Sequence, residues 1–225
     1  MAATIATGPQ PPPDKDQPAI AAQPRPATAN RATASGGSGR RSEAARLAVL
    51  NAADDLLVEV GFEGLTIEGI AAAAGVAKQT IYRWWKSKVD ILFDNLVLDA
   101  GTALAWPAET PSGPADLRAY VHRFAAFLGT EPAGQVLRAL LGHAQLDART
   151  AELLHGGFLD ELRARDVAHT RACLGLADAD SAGGGDEAAV LLDALLAPLY
   201  HRALVLRRPL DAAFVDALLD QHLPR

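Results

Sequence analysis

The run IEGIAAAAGVAKQTIYRWW at residues 67–85 restricts the fold more than any other part of the chain. Thr66 stands before it as a capping hydroxyl, and Ile67, Ile70 and four consecutive alanines then give a short helix, through Ala74, with one very small face. Gly75 breaks that helix. A glycine there can adopt the positive φ of a tight turn, and the alanines let a second helix, expected over Val76–Trp85, cross closely. Two short helices joined in this way are a helix-turn-helix.

The second helix and its exit carry Lys78, Gln79, Thr80, Tyr82, Arg83, Lys86 and Lys88, with no acidic residue between Val76 and Val89. The chain as a whole has a net charge of −6, and every lysine after Lys15 falls between Lys78 and Lys88. A local cationic surface rich in amide and hydroxyl groups suits phosphates and base edges, which whole-chain acidity would conceal. Ile81 and Trp85 are four apart and share a face with Val76 or Ala77, so they should pack inward. Gln79 and Thr80 are then expected at base edges, Lys78 at a base or phosphate, Arg83 on the outer face, and Tyr82 and Lys88 on the DNA backbone.

The segment VAKQTIYRWWKSKVDIL resembles the end of the DNA-binding domain in the TetR (tetracycline repressor-like) family of bacterial transcription regulators. The resemblance covers about Ser42 to Leu98. It implies a three-helix reading head, a C-terminal helical domain for effector binding and dimerisation, a phosphate contact at Thr66, and repression relieved by a small molecule. Two positions depart from the family pattern. Ala77 replaces a common capping Ser or Thr, and Trp84 stands where His is frequent, so a phosphate contact there would come from the indole N–H.

The remaining sequence points to an all-α fold. Hydrophobic residues make up 49% of 225 residues, enough for a sizeable core, yet β-branched and aromatic residues are sparse beside Ala and Leu and no long alternating run occurs. The lone Cys173 excludes an internal disulfide and a cysteine-built zinc site, and fits a reducing cytoplasm. No uninterrupted apolar run approaches 18 residues and no signal peptide is legible, so no membrane contact is expected. Hydrolase, zinc-protease, phosphate-loop and dinucleotide motifs are all missing. A helical enzyme is therefore the weaker alternative, no cofactor is called for, and the carboxylates of LADADSAGGGDE at 176–187 lack calcium-loop spacing.

Three regions follow in order. Residues 1–40, rich in Pro, Ala, Gly and Ser, are expected to form a disordered tail, with Arg25, Arg31, Arg40 and Arg41 as a possible basic arm. Residues 41–88 form the reading head, beginning with a helix at Ser42 that ends at Gly61. Residues 89–225 form the effector-binding and dimerisation domain. Ser87 and Asp90 read as a capping box for a helix from Val89 to about Leu104 that joins the two. Helices should follow over 117–128 and 136–146, then over 148–174 with a kink at Gly156-Gly157, and finally over 188–206 and 211–219.

Trp106, Tyr120, Phe124, Phe127, His143, His155 and Phe158 are the candidates for lining an apolar effector pocket. The helix 188–206 is apolar nearly all round and needs cover on two sides, which a second copy of the chain supplies. Leu192, Leu196, Leu199, Phe214 and Leu218 are the expected homodimer contacts. One short reading helix spans too few base pairs for useful specificity, so a homodimer on a palindromic double-stranded DNA operator is expected. A regulator that needs no ligand is the other alternative.

Overall fold

A computed structural model describes residues 37–110, 112–176 and 186–223. The expected tail, apart from its last few residues, and most of the 176–187 stretch lie outside these residues. Every element among the described residues is helical. Residues Gly37–Arg225 cohere as one unit, with a buried core that runs from Val49 to Leu223 and includes both the reading head and the segments beyond it.

The first helix, α1 (Gly37–Gly64), starts before the expected Ser42, so Arg40 and Arg41 lie on a helix. It carries non-helical geometry at Gly61, where φ is 71°. This is the expected end of the regular helix, with one further turn beyond it. The reading head continues with α2 (Ile67–Ala74) and α3 (Lys78–Tyr82), and then α4 (Lys88–Ala103). Thr66 caps α2 by accepting from the Gly69 N–H at 3.0 Å. At its other end Gly75 is left-handed, with φ 66° and ψ 30°. The Val76 N–H reaches back to the Ala71 carbonyl at 3.0 Å, and the Gly75 N–H to Ala72 at 3.3 Å. This is a Schellman closure, and it removes Val76 from the following helix. Ser87 and Asp90 form the reciprocal capping box at the start of α4.

Beyond α4 come α5 (Pro114–Thr130), α6 (Pro132–Ala144) and α7 (Ala148–Leu153). A π-helical turn over Leu154–Leu159, containing the expected Gly156-Gly157 kink, leads into α8 (Asp160–Leu174). Then α9 (Glu187–Tyr200) runs into a second π-helical turn, His201–Val205, three residues after Pro198. Proline cannot donate a backbone hydrogen bond, so the ladder around it must adjust. Finally α10 (Ala212–His222) packs against α5 and α9.

The stretch Glu187–Val205 is the one helix among the described residues long and apolar enough to cross a membrane, with a window of mean hydropathy 1.4. Asp193 and Arg202 interrupt its apolar run without lowering the mean far, which is why a search for uninterrupted runs misses it. Here the helix packs on α5, α8 and α10.

Candidate nucleic-acid interface

Ile81 is fully buried and Trp85 nearly so, and together they seat α3 on the core. The Trp85 indole N–H donates to Asp94 Oδ2 at 2.8 Å, and Arg46 reaches the same oxygen at 3.0 Å. Asp94 thus ties α1, the exit of α3 and α4 together. A buried amide does the same deeper in, with Asn95 Nδ2 donating to the Leu50 carbonyl at 3.1 Å. The reader is therefore held at the start of α4 by polar bonds as well as by burial.

With Ile81 and Trp85 inward, Lys78, Gln79, Tyr82 and Arg83 are exposed, Thr80 and Trp84 are half-buried, and Thr66 is exposed at the α2 start. Tyr82 retains 49% of its accessible surface. Ala77 caps α3 with no side-chain hydrogen bond, as its methyl group dictates, and α3 begins at Lys78 where the sequence pattern suggests Val76. The Arg83 guanidinium lies 5.0 Å over the Trp84 ring, and Trp84 meets Trp85 edge to face at 5.4 Å. Trp84 is consequently both a packing residue and a wall of the reading surface.

Two expected DNA contacts already have partners within the chain. Lys88 was expected at the DNA backbone, but its ammonium turns inward, donating to the carbonyls of Phe62 at 2.6 Å and Leu65 at 3.1 Å and lying 4.3 Å over the Phe62 ring. These carbonyls belong to the last turn of α1, past its break at Gly61, and to the residue just beyond it, where helix-end carbonyls lack helical partners, so a cation there is a structural tie. Lys78, expected at a base or phosphate, is paired with Glu68 of α2. Its hydrogen bond holds the exposed Glu68 carboxyl below the usual carboxylate range and raises the Lys78 ammonium.

Arg41, expected in the basic arm, and Ser42, not singled out in the sequence, lie on the first described turns of α1. They line one open groove with Ala45, Thr80, Arg83 and Trp84. The sequence signal was the Arg40-Arg41 pair; its early helical start brings it beside α3.

The effector candidates do not form one site. Phe124 lines a cavity of about 270 Å³ with Leu159, Leu162, Arg163, Asp166, Leu192, Asp193, Leu196, Ala197 and Tyr200. Trp106 and Tyr120 lie beneath it, stacked at 4.1 Å, and both donate to the buried Asp166 carboxylate. Phe127 is core, His143 packs on Phe62 at 4.7 Å, and His155 is exposed. Phe158 lines a separate groove between α4 and α8.

The expected dimer contacts fall into two groups. Leu192, Leu199 and Leu218 are buried within a single chain and Leu196 lines the cavity, while the half-buried Phe214 carries the Arg202 guanidinium 4.2 Å over its ring. Leu192, Leu199 and Leu218 thus already have cover, whereas Leu196 and Phe214 are half-buried. The exposed stripe on the same helix is Val190, Ala197, His201 and Leu204, followed by Val205 and Leu206.

A capped two-helix reader with an exposed polar and cationic ridge, rigidly joined to a helical body, defines a helix-turn-helix DNA-binding protein. The family model for bacterial regulatory proteins of the tetR family matches residues 49–94, and that for the tetracyclin repressor-like C-terminal domain matches residues 107–222. The uncharacterized HTH-type transcriptional regulator YdeS of Bacillus subtilis (strain 168) is 31% identical over 183 residues, spanning 80% of this chain and 88% of that protein. The uncharacterized HTH-type transcriptional regulator Mb1581 of Mycobacterium bovis is 29% identical, spanning 73% and 79% respectively. Among solved structures, the TetR family transcription regulator SCO0332 superposes with a TM-score of 0.60 at 34% identity, over 80% of this chain and 99% of that one. The chain belongs to the TetR family, and it is a DNA-binding transcriptional regulator.

Proposed function

We propose that this regulator acts in the cytoplasm as a homodimeric repressor on a palindromic operator and leaves it when a small apolar molecule occupies the helical body. The observation that carries the DNA-reading part is the row of exposed Lys78, Gln79 and Tyr82 with half-buried Thr80, standing on buried Ile81 and Trp85. Gln79 suits the paired donor and acceptor of adenine, and the Thr80 methyl or hydroxyl suits thymine or a polar partner. Lys78, Arg83, Tyr82, Thr66 and the nearby Arg41 hold phosphates, which orient the reader without specifying sequence.

Dimerisation is supported by the uncovered apolar stripe of α9 and its π-helical extension, since exposed apolar area on that scale favours burial against a partner. Release is supported by the cavity beside α8. The Arg165 guanidinium of α8 donates to the Leu104 carbonyl at the end of α4 at 3.0 Å, so a shift of α8 would reach the helix that carries the reader. An effector then needs only a higher affinity for one of two arrangements.

Selection of bound sequences from random DNA by the purified protein tests this reading. The expected outcome is an inverted repeat whose half-sites lie about one helical turn, ~34–36 Å, or a multiple of it apart. A single unrepeated half-site, or a monomer in sedimentation at the working concentration, would reject it.

A further inference from the structure

We propose that the cavity between α5, α8 and α9 takes a neutral, predominantly apolar molecule that offers one hydrogen-bond acceptor to the Tyr200 phenol; this rests on the effector-released reading above. The lining is mostly Phe124, Leu159, Leu162, Leu192 and Leu196. Its volume of about 270 Å³ lies just below the roughly 300–1,000 Å³ seen for small-molecule sites. A compact chain or ring system fits such a space.

The charges around the cavity are already spent on one another. Arg163 makes a two-pronged pair with Asp193 across the mouth, one of its bonds at 2.9 Å. At the floor, Asp166 accepts from Arg165 at 2.8 and 3.0 Å, from the Trp106 indole at 2.9 Å and from the Tyr120 phenol. A cationic ligand would find no unpaired carboxylate, and an anionic one would have to break a pair to find a cation. Either would bring a charge into an apolar space at a desolvation cost that nothing there offsets.

Tyr200 is the exception in the wall. Its ring meets Phe124 edge to face at 5.6 Å, and its hydroxyl makes no hydrogen bond among the described residues. Burial, and then the neighbouring Asp166 charge, push its ionisation well above the usual range, so the group that faces a ligand is a phenol donor. Two π-helical turns adjoin the site, one ending at Leu159 and the other starting directly after Tyr200. Such turns loosen the helical ladder and recur at functional sites. Here they place the two irregular points of the body against the same cavity.

Fluorescence of Nile red, a neutral apolar dye, on the full-length protein tests the proposal. The dye is displaced in parallel titrations with 2-undecanone, undecanoate and undecylamine. The ketone should displace it at concentrations at least tenfold below either charged analogue. Tyr200→Phe should weaken the ketone about fivefold, the loss of one neutral hydrogen bond, with ketone affinity calculated from each variant's own directly measured dye affinity. Leu196→Trp, which fills the cavity, should abolish both, with circular dichroism verifying that each variant is folded. Stronger displacement by undecanoate or undecylamine, an unaltered ketone affinity in Tyr200→Phe, or full dye and ketone binding in folded Leu196→Trp would each overturn the proposal. Operator binding is measured in the same titrations. If the ketone binds as described and the operator stays bound, the ligand class stands and the release reading fails. If the ketone does not bind while cell metabolites still release the operator, release stands and the ligand class fails.

Discussion

Gly134 and Gly142 lie on the same helix, α6, and replacing each with alanine should move stability in opposite directions. Alanine is the better helix former by about 0.8–1.0 kcal/mol, so on propensity alone both changes stabilise. Gly142 is exposed, and a Cβ placed on it meets nothing within 4 Å. The propensity gain, roughly 0.5–1 kcal/mol near a helix end, should appear there in full. At Gly134 the added Cβ would lie 1.7 Å from the Phe127 carbonyl oxygen, 2.6 Å from its carbon and 3.1 Å from Leu128 Cα. These are backbone atoms of α5 and cannot rotate aside.

A carbon and a carbonyl oxygen in close but acceptable contact stand about 3.3 Å apart. The start of α6 would therefore have to withdraw by roughly 1.6 Å, at a place where α5 and α6 are joined by a turn too short to yield. Overpacking of this kind costs about 1–3 kcal/mol and sometimes more, and it exceeds the propensity gain. Gly134→Ala should lower the urea midpoint by the equivalent of about 1–2 kcal/mol, and Gly142→Ala should raise it. Both are measured at one protein concentration, because association contributes to apparent stability. Equal and positive shifts at the two sites would show that α5 and α6 are not in contact at Gly134, refuting the packing on which the helical body is built.

Further outcomes concern the reading head and the α9 face. Glu68→Gln should release Lys78, tighten DNA binding across all sequences and steepen the salt dependence by about one charge; unchanged affinity would mean that DNA already displaces Glu68. Because pairing depresses the Glu68 ionisation, its stabilising contribution is present above the ordinary carboxylate pKa of 4.5 and is lost as pH falls through the depressed value. An acid titration of wild type against Glu68→Gln should converge at the acid end. Lys88→Ala should lower the urea midpoint as well as DNA affinity, since two carbonyls lose their donor; a purely electrostatic loss at unchanged stability would return Lys88 to the DNA backbone. Leu204→Asp should give folded monomers by sedimentation, whereas Leu192→Asp should unfold the chain, because only the first is exposed.

What the sequence determined by itself lies within a few residues along the chain. The Thr66 cap, the Gly75 turn, the Ser87–Asp90 box and the inward pairing of Ile81 with Trp85 all depend on neighbours three or four positions away, where helical geometry sets who meets whom. What tertiary structure alone decided concerns contacts beyond the reach of one helical turn, and which of several neighbours a side chain takes. Glu68 claims Lys78, the end of α1 claims Lys88, and Asp166 gathers Trp106, Tyr120 and Arg165 into one buried cluster. The Leu-rich α9 shows the limit most clearly. A helix apolar around most of its circumference carries no periodic mark of which side meets its own subunit. Its packing on α5, α8 and α10 puts Leu192 and Leu199 inside and leaves Val190 and Leu204 outside.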